Sequence, residues 1–346
     1  MKYKQINKLI NVTAYLAETN SLIWSDGITL FRNHIEILSP KEDSNCLNIE
    51  SKEENLFFWF GNGNLWIYNN SKGSLFHKET MMNILAEGFI HCSDYDYDLL
   101  VPITYFYNLK TKSLIFDKGL PGEVVIFENS IYQYYNNSII KYDFTRKEIW
   151  KHKLSYLGFL EGRTDQKKNE FKKIIGIAHN NLWVLGKSGS LIAINTETGV
   201  LTKTFEWEDE YVDGKRYHPN PTDAFIYEED NNIYSLGAYF IKINTRTLQI
   251  ESNNLLVDEL HNGDKIKIRS SSVQGQNISF IASFYGTSWV KIIGLFSIAE
   301  KKIIWLHELF RKDENKFIPA FNTPQLSGNK LYILDNEKTL YIFEKD

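Results

Sequence analysis

The sequence is poor in cysteine and has no long apolar run. Cys46 and Cys92 are the only cysteines among 346 residues, which excludes a disulfide-dense scaffold, although the two could pair if the chain were exported. No segment approaches the roughly 18 apolar residues of a membrane-spanning helix. The N-terminal segment also lacks the apolar core of a signal peptide. We therefore expect a cytoplasmic protein with reduced thiols and no membrane association.

Neither sign of charge dominates the composition. The chain carries 39 Lys and Arg against 43 Asp and Glu, a net charge of -4. Such a chain has no strong positive field to attract nucleic acid or anionic lipid. The strongest basic run, residues 163–173, is interrupted by acidic residues and is typical of a solvated loop. We expect no nucleic-acid partner.

Motifs of common enzymes and metal sites are missing. The sequence has no Gly-x-x-x-x-Gly-Lys phosphate loop and no Gly-x-Ser-x-Gly turn. Asp94, Asp96 and Asp98 alternate as in a calcium loop, but the glycine and glutamate that complete such a loop are absent. His91 and Cys92 are neighbours, so in a strand their side chains would point to opposite faces. We predict no catalytic residue, no metal and no cofactor.

A degenerate sequence repeat runs through the whole chain. An Asn or Asp precedes an apolar run, a Gly- or Asn-containing turn follows, and then a second run alternates with period two. The spacings between the first apolar residues average about 44, a period typical of arrays of supersecondary units. No helical periodicity extends beyond a turn or two. The first apolar residues of the eight copies are Leu22, Leu56, Leu99, Ile131, Leu182, Ile233, Ile278 and Leu331.

Each repeat has room for four short strands, because further apolar runs precede and follow the predicted hairpin. A four-stranded sheet cannot bury both faces alone, and radial packing of such sheets is the β-propeller solution. The sequence predicts an all-β, single-domain propeller over residues 1–346 with eight four-stranded blades, or seven if the short first repeat is not a blade. The last repeat lacks its outermost strand, so we expect residues 3–10 to pair with residues 339–344 and close the ring.

The repeat at 193–203 resembles that of pyrroloquinoline-quinone-like (PQQ-like) propellers, Ala-x-Asp-x-x-Thr-Gly-x-x-x-Trp. Ala193, Asn195, Thr198 and Gly199 match, and Lys203 holds the tryptophan position. Quinone-binding members of that superfamily often carry adjacent cysteines, whereas the two cysteines here are far apart in sequence. The resemblance thus implies the fold without the quinone.

Two other copies keep part of this motif. Trp305 stands at the matching place in the seventh repeat, and Asp143 matches in the fourth, where Trp150 comes one residue early.

The longest connections run from the last strand of one predicted blade to the first strand of the next. Connections of this kind emerge on one face of a propeller, and long loops on a rigid scaffold are where function concentrates. They cover residues 155–172, 205–223, 255–270 and 310–324.

The connection 205–223 holds the candidate binding residues. Its aromatic and basic side chains are of the types that anchor protein interfaces, on a backbone stiffened by two prolines. Equally, these aromatic residues could cap the ends of the blades. The predicted binding residues are Trp207, Tyr211, Arg216, Tyr217 and His218.

The sequence therefore predicts a non-enzymatic propeller that binds a protein partner through its long loops, in an inhibitor, immunity or scaffold role. The alternative is an enzyme or small-molecule binder that uses the central funnel. Propeller enzymes assemble sites from residues distant in sequence, so the missing motifs leave this alternative open.

Overall fold

In the part of the chain that the structure describes, regular secondary structure is entirely β-strand. The computed structural model shows no helix in the part of the chain that it describes, and hence no helix there that could cross a membrane. It describes residues 3–18, 21–52, 54–69, 71–77, 81–86, 88–96, 101–111, 113–115, 119–154, 171–187, 189–205, 207–212, 214–219, 221, 224–227, 229–256, 260–261, 264–284, 290–309 and 322–346.

Eight antiparallel sheets follow one another along the described chain, and we number them as blades 1 to 8. Each blade has four strands, which pair in sequence order in blades 1 to 7, and blades 3 and 7 carry one short extra strand. Blade 8 takes its fourth strand from the start of the chain. The strands of blades 1 to 4 are Ala14–Glu18, Ser21–Ser25, Leu30–Arg32 and Ile35–Leu38; Cys46–Lys52, Asn55–Phe60, Leu65–Asn69 and Lys72–His77; Met81–Ala86, Phe89–Asp96, Val101–Asn108 and Ser113–Leu114, with Leu120–Pro121; and Glu123–Phe127, Ser130–Tyr135, Ser138–Tyr142 and Glu148–Lys153.

The remaining blades follow the same plan. Their strands are Phe171–Ala178, Asn181–Gly186, Leu191–Asn195 and Leu201–Phe205 in blade 5; Phe225–Ile226, Ile233–Leu236, Tyr239–Asn244 and Gln249–Leu255 in blade 6; Asp264–Gln274, Asn277–Phe284, Val290–Ser297 and Lys302–Glu308, with Leu260–His261, in blade 7; and Gln325–Ser327, Lys330–Leu334, Leu340–Lys345 and Tyr3–Leu9 in blade 8. A separate hairpin, Glu210–Val212 with Lys215–Tyr217, lies between blades 5 and 6 in sequence.

This architecture is that of an eight-bladed β-propeller, which confirms the predicted fold class and the count of eight rather than seven. Seven of the eight first apolar residues of the predicted repeats lie at the start of a blade's second strand. The assignment of the third repeat was wrong. Leu99 lies outside the described residues, between the second and third strands of blade 3, and the second strand there is Phe89–Asp96.

The first strand of the chain completes the last blade. Tyr3–Leu9 pairs antiparallel with Leu340–Lys345, from Tyr3 opposite Lys345 to Leu9 opposite Leu340. The predicted pairing of the two terminal segments is therefore confirmed. Tyr3 is buried and its ring centroid lies 5.2 Å from that of Trp305 in blade 7.

The chain divides into two compact units, residues 1–85 with 259–346, and residues 86–258. In each unit the hydrophobic core is a series of clusters between consecutive blades. The first unit has clusters between blades 7 and 8, 8 and 1, and 1 and 2. The second has clusters between blades 3 and 4, 4 and 5, and 5 and 6. The prediction of a single domain over residues 1–346 stays a prediction.

A polar side chain organises the turn before the last strand in several blades. In blade 5 the Oδ1 atom of Asn195 accepts hydrogen bonds from the backbone N–H of Glu197 at 3.0 Å and of Thr198 at 2.9 Å, and from the Thr198 hydroxyl at 3.1 Å. Asn and Asp side chains favour such turns because they replace a backbone acceptor. The equivalent residues Asn108, Asp143 and Asn244 make matching bonds in blades 3, 4 and 6.

Asn195→Ala removes the side-chain oxygen that accepts these three hydrogen bonds. We expect a loss of about 1 kcal/mol in the free energy of unfolding, because two backbone donors must turn to water. Urea denaturation followed by circular dichroism measures this loss. The matched control is Asn195→Asp, which keeps an acceptor oxygen as Asp143 does in blade 4, and an equal loss in both variants would contradict the role assigned to Oδ1.

Neighbouring blades 4 and 5 are joined by a tryptophan and a glycine. Trp150, on the last strand of blade 4, is 8% exposed, and its Nε1 donates a hydrogen bond of 2.9 Å to the backbone oxygen of Thr196. Its ring covers Gly199, where an added Cβ would lie 2.7 Å from ring atom Cδ2. Gly199 also has φ +69°, a conformation that favours glycine. The turn therefore admits no larger residue at position 199.

Candidate functional site

The candidate binding residues lie on and beside the hairpin Glu210–Val212 with Lys215–Tyr217. This hairpin connects the last strand of blade 5 to the first strand of blade 6. The register places Glu210 opposite Tyr217 and Tyr211 opposite Arg216. The connection 205–223 therefore contains regular structure that the sequence analysis did not predict.

Two of the five candidate residues mainly contribute to packing. Trp207 and Tyr217 are half-buried against the cluster between blades 5 and 6. The indole Nε1 of Trp207 donates a hydrogen bond of 2.9 Å to the backbone oxygen of Gly189 in blade 5, and its ring stacks beside Phe205 with centroids 6.5 Å apart. These contacts favour the capping alternative for Trp207 and Tyr217.

A polar contact between His218 and Asp209 closes the base of the hairpin. The Nδ1 atom of His218 lies 3.0 Å from Oδ1 of Asp209, and both side chains are mostly buried, at 28% and 20% exposure. His218 follows the hairpin and Asp209 precedes it, so the contact joins the two chain segments that enter and leave. The pair restrains the hairpin at its attachment point.

A second polar contact ties the hairpin to blade 6. The buried phenol of Tyr239 donates a hydrogen bond of 3.0 Å to Oε2 of Glu210. Burial, with the nearby carboxylate of Glu210, raises the pKa of Tyr239 far above its ordinary value, so the phenol stays protonated and keeps donating. Tyr239 was missed in the sequence, because it stands 29 residues away and only the folded chain brings it to the hairpin.

Tyr211 is the candidate residue that faces solvent. Its relative exposure is 68%, high for a large aromatic residue. The side chain of Arg216 lies outside the described residues, although its backbone pairs with that of Tyr211. The anchored hairpin thus presents an aromatic side chain on a backbone restrained at its base.

The other long connections are only partly described. Residues 155–170 and 310–321 lie outside the described part of the chain. The connection 255–270 was drawn too long, because residues 264–270 belong to the first strand of blade 7, an eleven-residue strand that extends beyond the usual blade. Among the described residues, the expected loop face is therefore represented mainly by the hairpin, with the short strand Leu260–His261 as the other regular element in these connections.

The remaining chemical candidates occupy ordinary structural positions or lie outside the described residues. His91 is half-buried, its Nε2 lies 3.1 Å from Thr104 Oγ1, and burial lowers its pKa. Cys46 is a free, fully buried thiol whose pKa burial raises to about 12, far from a reactive thiolate. The side chains of Cys92 and of Asp94 and its acidic neighbours are not described. Within the described part of the chain no three His, Cys, Asp or Glu side chains could hold a metal together.

The sequence matches no family model, and no curated protein is significantly similar to it. Solved structures are similar in fold over nearly the whole length of this chain. The computationally designed Ika8 protein superposes with a TM-score of 0.60 at 12% identity, covering 97% of this chain and 96% of that chain. Sqt1 from Saccharomyces cerevisiae gives a TM-score of 0.57 at 11% identity, covering 99% and 98% of the two chains.

A third structure, BamB from Moraxella catarrhalis, covers 99% of this chain and 100% of its own at 10% identity, with a TM-score of 0.43. That score is too low to support an argument. At the identities of Ika8 and Sqt1 the similarity concerns the fold alone, and it agrees with the propeller seen in the strand order.

Proposed function

We propose that this chain is a non-enzymatic β-propeller that binds a protein partner, with the hairpin Glu210–Tyr217 as part of the binding surface. The observation that carries the proposal is the exposure of Tyr211 on a hairpin held by its neighbours. Exposed tyrosines on rigid elements are typical interface anchors, because they bury a large area for little loss of side-chain entropy. An inhibitory, immunity or scaffold role in the cytoplasm stays a prediction from the sequence.

Rigidity of the hairpin supports a binding role over a loose surface loop. Trp207 bonds to blade 5, Tyr239 bonds to Glu210 from blade 6, and the Asp209–His218 pair closes the base. A loop fixed before binding loses less conformational freedom in the complex, so more of the contact energy remains as affinity. Pro219, buried beside the base, also limits motion of the backbone.

We further infer that the repeats are of the PQQ-like type. The turn residues Asn195, Thr198 and Gly199 form one hydrogen-bonded unit, and Trp150 of the preceding blade covers its glycine. The residues that the repeat pattern specifies thus meet at a junction between blades. This relationship concerns the scaffold and assigns no quinone to the protein.

Tyr211→Ala tests the proposed surface. If Tyr211 is an interface anchor, we expect capture of the partner to weaken at least about 30-fold, the equivalent of about 2 kcal/mol. The tagged full-length chain is expressed in its native cells, and proteins retained by wild type and variant are compared by quantitative mass spectrometry. Tyr211 packs little, so the variant should unfold at the wild-type temperature.

The matched control is Ile35→Ala, which truncates a 70% exposed apolar residue on blade 1. We expect it to capture the partner as well as wild type. Equal capture by Tyr211→Ala and wild type would remove the hairpin from the binding surface. A large thermal stabilisation by a sugar, quinone or metal without any captured protein would favour the small-molecule alternative instead.

A further inference from the structure

The hairpin forms a two-stranded sheet of its own. Among the described residues, strands Glu210–Val212 and Lys215–Tyr217 pair only with each other and join neither blade 5 nor blade 6. Strand edges without a partner present free backbone donors and acceptors, and such edges can accept an added strand. Among the described residues no third strand lies beside the hairpin, so both of its outer edges are without a partner strand.

The turn length decides which backbone groups point outward. Val212 and Lys215 are register partners with two residues between them, and Gly214 has φ +72°, as a two-residue hairpin turn requires. In such a hairpin the closing pair is hydrogen-bonded, and the next pair along the ladder is not. That next pair is Tyr211 and Arg216. The N–H and C=O groups of Tyr211 consequently point away from the partner strand.

Tyr211 keeps this edge accessible. Its residue exposure is 68%, and the described part of the chain gives it no hydrogen bond outside its own hairpin. The contacts that anchor the hairpin instead involve Trp207, Glu210 and His218. The edge at Tyr211 is thus positioned by its neighbours, and no further described strand pairs with it.

The charge along this strand indicates the chemistry of a partner. Residues 206–213 read Glu-Trp-Glu-Asp-Glu-Tyr-Val-Asp, with a carboxylate at five of eight positions. Glu208 and Glu210 are exposed, and Asp209 is paired with His218. A strand added beside this segment places its side chains next to these carboxylates, and like charges across a strand pair are unfavourable. A partner strand carrying Lys or Arg fits this edge, whereas a second copy of the acidic strand does not.

We propose that the edge of strand Glu210–Val212 accepts an extended, basic segment of the partner protein as a third β-strand. Backbone hydrogen bonds to Tyr211 give the register, and the carboxylates of Glu208 and Glu210 select Lys or Arg in the added strand. This inference rests on the proposed function and names the kind of segment that the hairpin binds.

Short synthetic peptides test the inference without the cellular partner. The full-length chain is titrated into fluorescein-labelled eight-residue peptides of alternating Lys and Thr, or of alternating Glu and Thr, and binding is followed by anisotropy. We expect the Lys peptide to bind at least about tenfold more tightly, as charge complementarity requires. A Lys peptide with N-methyl groups on alternate residues should also bind at least about tenfold more weakly, because it cannot complete the ladder.

Two variants keep the test specific to this edge. Tyr211→Pro removes the backbone donor, and we expect it to lose binding of the Lys peptide at least about tenfold. Glu208→Lys changes only an exposed charge, and we expect it to shift preference several-fold toward the Glu peptide. Because Glu208 precedes the strand, this second variant remains informative even if proline disrupts the hairpin.

The inference is overturned if the Lys peptide does not bind, if N-methylation has no effect, or if both charges bind equally. A dimer that Tyr211→Pro abolishes in analytical ultracentrifugation would assign the edge to a second copy and also overturn it. Failure of the peptides with Tyr211-dependent partner capture leaves the proposed function standing and removes only the added strand. If the Lys peptide binds but no cellular protein is captured, the added-strand inference stands and the proposed protein partner lacks support.

Discussion

Replacing Trp150 by alanine lowers the free energy of unfolding by about 3–5 kcal/mol, the cost of removing a large aromatic side chain from a packed core. Trp150 is almost fully buried in the cluster between blades 4 and 5, and its ring centroid lies 6.0 Å from that of Tyr132. The variant also leaves the backbone oxygen of Thr196 without its indole donor. Urea denaturation followed by circular dichroism measures the loss without relying on tryptophan fluorescence.

Two variants separate the causes of this loss. Trp150→Phe keeps most of the ring packing but removes the Nε1 donor, so we expect a smaller loss of about 1–2 kcal/mol. Ile149→Ala truncates the neighbouring residue, which is 48% exposed, and we expect a loss below about 0.5 kcal/mol. A loss of less than about 1 kcal/mol in Trp150→Ala would show that this junction does not hold the two blades together.

The position of Trp150 shows both the reach and the limit of the repeat pattern. In the sequence it comes one residue early, yet in the structure it pairs with Lys141 as Lys203 pairs with Ala193 and Trp305 with Leu295. The turn of blade 4 is one residue shorter, and a register shift precedes the paired residue in all three blades. A sequence pattern with fixed spacing misses this equivalence when a turn is one residue shorter, whereas the strand pairing shows it.

The fold was predictable because a strand that is buried on both faces recurs from blade to blade. Leu182 and Ile233 begin second strands whose side chains are buried on both faces, so these strands appear as continuous apolar runs. Blade 3 was misplaced because its second strand carries His91 and acidic residues, which hide the apolar run. The sequence marked the third strand of that blade instead.

The candidate site was less predictable, because its geometry depends on contacts between distant residues. Trp207 and Tyr211 have similar chemical character in the sequence, but one packs against a blade and the other faces solvent. The difference follows from the bond of Trp207 to Gly189 in blade 5 and from the place of Tyr211 on the hairpin. Neither leaves a signal in local composition. A loop rich in aromatic residues therefore indicates where to look, and only the fold separates anchors from contact residues.

Gly294→Ala is expected to destabilise the protein by about 2–3 kcal/mol, the upper part of the usual cost of overpacking a core. Gly294 lies on the third strand of blade 7 directly opposite Phe280, and the Phe280 ring covers the glycine. A Cβ at position 294 would overlap this ring. Phe280 is fully buried, so a shift of its ring would have to displace other closely packed core atoms.

The control for the glycine change is Gly237→Ala, since an added Cβ there meets no atom within 4 Å. We expect no loss of stability in that variant, because alanine also restricts the unfolded chain. Thermal and urea unfolding of both variants measure the difference. Equal stability of Gly294→Ala and wild type would mean that the ring of Phe280 does not lie over position 294.

A compensating change makes this prediction more specific. Phe280→Leu removes the part of the ring that meets the new methyl group and by itself leaves a cavity that costs about 1 kcal/mol or more. Combined with Gly294→Ala, the methyl group occupies part of that cavity, so the double variant should be more stable than the two single losses added together. We expect a favourable coupling of about 1–2 kcal/mol, since the two residues are in direct contact. If the two losses of stability were additive, leucine would not relieve any clash with the new methyl group. Alanine would then destabilise the protein through the backbone of the strand.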